Sequence, residues 1–259
     1  MLTDNTSRQV QSVRTAFHLV NMIQEFNGAT LAELVEHHDL AKSTIHNYLA
    51  TLEGLGYVVN ENGTYRLGLR FLTHGMSAKK SVAVQTEVSR SLNAISQEVS
   101  SPIWWIVEEV GRANFLEYFG TGSPKRIYGR VGKRSYLHTH APGKAILAAL
   151  PDDDVETIIA HHGLPEQTIK TTTDDDALAA ELETIRENGY AVSNGEAVLG
   201  VESIGVAFTV PNGAVHAVGI FGYSQDLTGE SKLMRLQETV INAVAGLEES
   251  LHGGGDTHV

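Results

Sequence analysis

The sequence predicts an α+β chain of two domains, a small helical head closed by a β-ribbon and a larger domain built on a mainly antiparallel sheet. Three observations predict it. At 259 residues the chain exceeds the usual size of one domain. Helical periodicity dominates up to Pro102, and beyond it the apolar period falls to two. Inside the helical part, Asn62-Gly63 sits between two β-prone runs, the strongest short-range signal for a hairpin.

Taken in order, Val10, Val13, Phe17 and Val20 with Ile23 predict an amphipathic helix that ends near Asn27-Gly28 and offers a candidate dimer surface. Thr30 can cap a second helix while Glu33 reaches back to complete a capping box, and Leu31, Leu34 and Val35 form its apolar face. His38-Asp39-Leu40 is a turn. Ile45, Leu49 and Leu52 place a third helix on the core and leave Ser43, His46, Asn47 and Ala50 outward. Tyr57-Val58-Val59 and Thr64-Tyr65-Arg66-Leu67 pair around the Asn-Gly turn. Helix, turn, helix and ribbon in that order make a winged helix-turn-helix, in which a short polar helix can enter the major groove beside a hairpin. A helical hairpin packed on a ribbon without any DNA role gives the same pattern.

Gly68 to Ser77 reads as a connecting helix and Ser77 to Ser100 as a longer linker, with Val82, Val84, Val88, Leu92, Ile95 and Val99 apolar. The boundary is set between residues 76 and 77. IWWIVEEV, ANFLEYF and RIYGRVG then read as strands, followed by helices at Gly143–Leu150, Asp153–Ala160 and Asp174–Asn188. GYAVSNGE, ESIGVAFTV and AVHAVGIFG are further strands, with Pro211-Asn212-Gly213 a turn between the last two. On a strand, Trp104 and Trp105 face opposite sides, and core packing is the reading for either. Lys232–Leu251 is a closing amphipathic helix, and the Gly-rich stretch from His252 to Val259 frays.

Composition narrows the function classes. The chain has 42% hydrophobic and 19% charged residues, no run long enough to cross a bilayer, and a start that does not read as a signal peptide, so a cytoplasmic protein is expected. The absence of cysteine removes disulfides, thiolate nucleophiles and cysteine zinc sites. The net charge of -12 runs against a basic DNA-binding footprint. Residues 1–75 hold Arg8, Arg14, Lys42, Arg66 and Arg70 against seven acidic residues, so even the head is not basic. Counterion release drives binding weakly where salt is already concentrated, so the acidic runs Asp152-Asp153-Asp154 and Asp174-Asp175-Asp176 suit a halophilic host. Solvated turns and helix N-termini account for the same aspartates.

Three motifs carry a resemblance. LAELVEHHDLAKSTIHNYLATLEGLGYV in the head, VGKRSYLHTHAPGKAILAAL in the second domain and GYAVSNGEAVLGVESIGVAF further on resemble the IclR family of transcriptional regulators, over residues 9 to 250. The resemblance implies a winged head, a linker helix and a C-terminal effector-binding domain, as a dimer or tetramer on a pseudo-palindromic double-stranded DNA operator. It implies a small effector (an organic acid, an aromatic acid or a sugar-derived metabolite) held among Leu137, Ala141, Pro142, Gly143, Ser193, Val201, Ser203, Gly219 and Phe221. Tyr136 stands where Pro is usual, His140 where a small hydroxyl residue is usual, Ser203 where Cys is frequent, and Phe221 where Ser can occur. A phenyl ring there removes a carboxylate donor and fills volume, which argues against a very small keto acid. Asn47 replaces a commoner Arg and suits adenine N6/N7.

Chemistry by other routes finds little support. Gly143-Lys144 fails as a phosphate loop because His138 and Ala145 stand where Gly and Ser/Thr are needed, though the turn at Ala141-Pro142-Gly143 could still offer backbone donors to an anion. His138 and His140 alternate and would share a strand face, with His161-His162 downstream, but a pair does not make a metal site. His37-His38 suit a helix C-terminus. There is no Gly-x-Ser-x-Gly elbow and no close pairing that singles out a base. The sequence therefore reads as a non-enzymatic regulator without cofactor or metal, in which Ser43, Thr44, His46 and Asn47 read bases and Lys42, Tyr65 and Arg66 touch the DNA backbone. A small-molecule enzyme with an appended head, or a metabolite sensor acting through a protein partner, stays open on residues alone.

Overall fold

The computed structural model describes residues 9–82, 84–99, 103–120, 128–224 and 230–253. The chain divides into two compact units, the first ending at Ser81 and the second starting at Val82. In the head, α1 (Gln11–Glu25) buries Leu19, Val20, Met22 and Ile23. Val10, Val13 and Phe17 stay 53–61% exposed, so the predicted stripe contributes only Val20 and Ile23 to the core. Asn27 and Gly28 take positive φ (54° and 109°) and turn the chain into β1 (Ala29–Thr30).

The capping box on α2 (Leu31–Glu36) forms as the spacing requires: Thr30 Oγ1 accepts from the Glu33 amide at 3.3 Å, and the Thr30 amide donates to Glu33 Oε2 at 2.7 Å. Thr30→Ala is expected to destabilise the head by about 1 kcal/mol, read as a lower midpoint for head unfolding in urea. Its C-cap His37 donates from Nδ1 to the Glu33 carbonyl at 3.0 Å. α3 (Lys42–Gly54) packs Ile45 and Leu49, both fully buried, in one cluster with Leu34. β2 (Val58–Glu61) and β3 (Thr64–Leu67) close on Asn62 and Gly63, whose φ values of 55° and 90° match the turn that follows strand twist. The ribbon joins β1 in the order β1-β3-β2.

α4 (Arg70–Lys80) is fixed to the ribbon by a 2.7 Å hydrogen bond between Tyr57 Oη and His74 Nε2. The linker differs from its sequence reading. Ser81 Oγ bonds back to the Ala78 carbonyl and Val84 takes φ 57°, so the helical path stops and restarts as α5 (Gln85–Val99).

The second unit is a six-stranded antiparallel sheet in the order β6-β5-β4-β9-β8-β7. Its strands are β4 (Ile103–Glu109), β5 (Arg112–Phe119), β6 (Arg134–Tyr136), β7 (Ala191–Asn194), β8 (Val201–Thr209) and β9 (Val215–Tyr223). Alternation sends Trp104 and Trp105 to opposite faces, as the sequence predicts. The Trp104 face packs with residues of α6 (Ala141–Ala149), α7 (Asp152–His162) and α8 (Asp175–Asn188). The Trp105 face packs with α5 and α9 (Glu230–Gly253).

Two expectations change. RIYGRVG is not a strand over its described residues, since a turn at Val131 and Gly132 is closed by Lys133 N–H to the Arg130 carbonyl, and the paired strand starts at Arg134. Arg126 and Ile127 of that stretch, and residues 254–259 of the tail, lie outside the described residues. His138 and His140 do not alternate on a strand either, because Leu137–Thr139 is a 3₁₀ turn leading into α6.

Candidate functional site

On the head, α3 presents Lys42, Ser43, His46 and Asn47 to solvent, with Thr44 half-buried at its first turn. These side chains share the face opposite Ile45 and Leu49 because a helix returns to one side every 3.6 residues. Tyr65 departs from its predicted role. It is 7% exposed and packs in the head core, since its place in β3 points inward opposite Ala29 and Asn60. Arg66, its neighbour, faces outward, with Nε 3.1 Å from Glu61 Oε2 and a guanidinium N–H donated to the Asn27 carbonyl at 3.3 Å. It braces the ribbon against the turn at Asn27.

In the second unit, the sheet register sets Ser193, Ser203 and Phe221 side by side across β7, β8 and β9, with Val201 and Gly219 two residues away on the same face. The start of α6 presses onto this row. A Cβ on Gly205 would lie 2.3 Å from Pro142 Cα, and one on Gly219 would lie 2.7 Å from Pro142 Cγ, so the paired glycines make the depression that Pro142 fills. Gly143 backs onto the Leu137 carbonyl, where a Cβ would sit at 2.2 Å. All nine predicted effector residues are buried, and Leu137, Ala141, Val201 and Phe221 belong to one core cluster.

The donors expected at the Ala141-Pro142-Gly143 turn are spent within the protein. The Ala141 amide donates to Ser203 Oγ at 3.1 Å, Pro142 has no N–H, and the Gly143 amide donates to His140 Nδ1 at 3.1 Å. The Lys144 amide goes to the His140 carbonyl at 3.0 Å. His140 therefore caps α6 with its own ring, in place of the small hydroxyl residue usual there. Burial holds its pKa down at about 3, with the nearby Lys133 charge adding to the shift.

Since Nδ1 accepts, the neutral ring carries its proton on Nε2 and donates it to Ser135 Oγ at 2.8 Å. That direction leaves Ser135 unactivated as a nucleophile, which needs a base to receive its proton. His138 is likewise held neutral by burial and bonds the Pro165 carbonyl at 3.2 Å. Among the described residues no cluster of three or more His, Asp or Glu is arranged for a metal.

Several contacts escape the sequence reading. Phe115, Tyr128, His140 and Phe221 form a cluster in which every pair of rings lies 5.1–5.8 Å apart. Lys133 lays its ammonium 2.9 Å from the centroid of the Tyr128 ring. Lys144 is fully buried and meets Glu181 (2.7 and 2.9 Å) and Glu196 (2.5 Å), tying α6 to α8 and to the loop after β7. These partners lie 37 and 52 residues apart in sequence, so no local spacing announces them. A groove of about 570 Å³ between α7 and α8, floored by Val155, Ile159, Leu178 and Leu182, contains none of the predicted effector residues. The space beside Leu137 is about 10 Å³, too small for a metabolite.

Residues 76–248 match the family model described as the bacterial transcriptional regulator IclR C-terminal domain, and residues 12–61 match the IclR helix-turn-helix domain. The chain is 33% identical over 202 residues to the probable HTH-type transcriptional regulator ArcR of Halobacterium salinarum, covering 76% of this chain and 77% of that protein. A putative transcriptional regulator from Rhodococcus sp. RHA1 shares the fold at a TM-score of 0.75 and 22% identity, covering 95% of this chain and 100% of that one. An IclR homologue from Microbacterium hydrocarbonoxydans, solved with 4-hydroxybenzoate, aligns at a TM-score of 0.69 and 21% identity, over 87% of this chain and 92% of that one. With both domain models matched in order and a winged head followed by an antiparallel α+β domain, the chain belongs to the IclR family of transcriptional regulators.

Proposed function

We propose that the protein binds a DNA operator through α3 and that a small organic metabolite, held by its second domain, modulates that binding. The observation that carries the reading is the outward face of α3, where Ser43, His46 and Asn47 stand exposed on a helix whose other side is locked into the head core. Asn47 can pair bidentately with adenine, Ser43 and Thr44 can bond donor or acceptor base edges, and Lys42 and Arg66 hold phosphates. Tyr65 leaves the contact set because it is buried.

Self-association supplies a second head for a pseudo-palindromic operator, and the exposed stripe of Val10, Val13 and Phe17 on α1 supports it. The effector site rests on the row of Ser193, Ser203 and Phe221 under the start of α6. A coupling of about 1–3 kcal/mol between the two sites changes operator occupancy severalfold or more. Work in concentrated salt in a cytoplasm is supported by the net charge of -12 and by the relative from Halobacterium salinarum.

A mobility-shift selection over genomic fragments, run at low and at molar salt, tests the reading. One or a few fragments are expected to be retained preferentially, with retention persisting at molar salt because few phosphate contacts give a shallow salt slope. Absence of any preferred fragment at both salts defeats it.

A further inference from the structure

We propose that Glu61 is an internal stand-in for a DNA phosphate: in the free protein its carboxylate holds the Arg66 guanidinium on the outer face of the wing, and on the operator a phosphate takes its place. This rests on the reading of α3 and the β2–β3 ribbon as the DNA-binding surface. It adds to that reading a positioning residue that sets how binding depends on salt.

The register decides which side chains share the outer face of the wing. Val59 pairs with Arg66 and Glu61 with Thr64 across β2 and β3, so these four lie on one side, and Val58, Asn60, Tyr65 and Leu67 lie on the other. Val58 and Tyr65 are buried in the head core, which turns the Arg66 side outward. There Arg66 lies across the bare backbone of Gly28, where a Cβ would stand 3.4 Å from Arg66 Cγ and 3.5 Å from Nη1. Its Nη1 donates to the Asn27 carbonyl at 3.3 Å, and its Nε meets Glu61 Oε2 at 3.1 Å. The chain thus parks a donor fork whose shape fits carboxylate and phosphate alike.

The clamp is open to exchange. The Arg66 and Glu61 side chains are 48% and 63% exposed, and an ion pair that open to water contributes little to stability. A phosphate in a duplex belongs to a dense row of negative charge, so it competes strongly with a lone carboxylate for the guanidinium. The exchange matters because cations are scarce in the head, where residues 1–75 hold five against seven acidic residues. Arg70 donates to the Leu55 carbonyl and lies 5.0 Å from the centroid of the Tyr57 ring, and Arg14 donates to Gln9 Oε1.

Taking Arg66 from a glutamate changes the ionic balance of the contact. An unpaired arginine that binds a phosphate displaces the cation condensed there, and that release makes affinity fall as salt rises. When Glu61 gives up the arginine, the freed carboxylate attracts a cation of its own, and the two ion movements oppose each other. Glu61 therefore weakens binding in dilute salt and flattens the salt dependence of this one contact, which suits a chain of net charge -12.

The test is equilibrium binding of the selected genomic fragment to the full chain from about 0.1 to 1 M KCl, for wild type, Glu61→Gln, Arg66→Met and the double variant. Glu61→Gln is expected to bind at least threefold more tightly at the low end, with log affinity falling more steeply against log salt by about 0.5–0.9, so that its advantage fades towards molar salt. In the Arg66→Met background the same substitution is expected to change affinity less than twofold and to leave the slope unaltered. Both side chains are exposed, so all four proteins should share one thermal midpoint to within a degree or two. An unchanged slope in Glu61→Gln overturns the proposal. Equal gains in both backgrounds also overturn it, since Glu61 would then act only by repelling DNA with its own charge. A wild type that retains its fragment while Glu61→Gln matches it in affinity and slope sinks this inference and leaves the regulator reading standing. No preferred fragment for any of the four proteins at any salt sinks both.

Discussion

Replacing Lys144 by Met is expected to destabilise the second domain by about 3–5 kcal/mol, because it strands buried carboxylate charge without a partner. The side chain has no exposure at all, and Glu196, at 9%, has a second oxygen that finds no hydrogen bond among the described residues. Among the described residues, losing Nζ leaves that carboxylate with Thr172 Oγ1 at 3.5 Å as its remaining side-chain partner. Glu181 is partly open to solvent and softens the loss. Urea unfolding followed by fluorescence reads the effect, since Trp104 and Trp105 both lie in the sheet of this domain. A loss below about 1 kcal/mol would mean that the ion pairs contribute as weakly as surface ones. The motif that resembles a phosphate loop thus uses its lysine to tie α6 to α8.

A steep loss of stability in weak acid is the second large effect. His140 and His216 have folded pKa values of about 3 and about 4, both held down by burial, against 6.5 for a free imidazole. The unfolded chain binds these protons more tightly, so the stability is complete above pH 6.5 and is lost as pH falls towards the folded values. Each histidine contributes about 1.4 kcal/mol per pH unit across that window, or on the order of 5 kcal/mol for the pair between pH 6.5 and 4.5. His216 accepts from Trp105 Nε1 at 3.4 Å on the opposite face of the sheet, so its protonation also removes an acceptor. Lys133 works at the other end. Its folded pKa of about 7 lies below the ordinary 10.5, so stability rises as pH climbs from 7 towards 10. Free energies of unfolding at pH 7, 5.5 and 4.5 measure the slope, and a flat profile between pH 6.5 and 4.5 contradicts it.

Legibility in the sequence tracks the range of the interactions. The capping box at Thr30 and Glu33, the Asn62-Gly63 turn and the inward row of Ile45 and Leu49 are local rules, and each appears in the structure at the residues that carry the pattern. Tyr65 escaped because a β-prone tetrapeptide does not say which face is buried; the answer came from pairing with Ala29, far along the chain. From Ser77 to Ser100 the valines keep helical spacing and read as one helix, while the break depends on the Ser81 hydroxyl and the positive φ of Val84.

At the proposed effector site, the residues taken from family positions lie on one sheet face and the loop against it. The departures His140 and Phe221 stood out in the sequence, but only the structure gives their consequence: the imidazole takes the Gly143 amide and the phenyl ring joins three others. Lys133 carried no signal by itself. Its neighbours in sequence are basic, and its rings arrive from β5, from the turn at Tyr128 and from β9.

The central claim is that the exposed face of α3 reads DNA. Equilibrium retention of the selected genomic fragment by the wild type and by the double variant Ser43→Ala/Asn47→Ala tests it most directly. Each lost base contact costs about 1–3 kcal/mol, so the variant should bind at least tenfold more weakly while its thermal midpoint stays within a degree or two. Fragment retention equal to the wild type in a folded double variant contradicts the account.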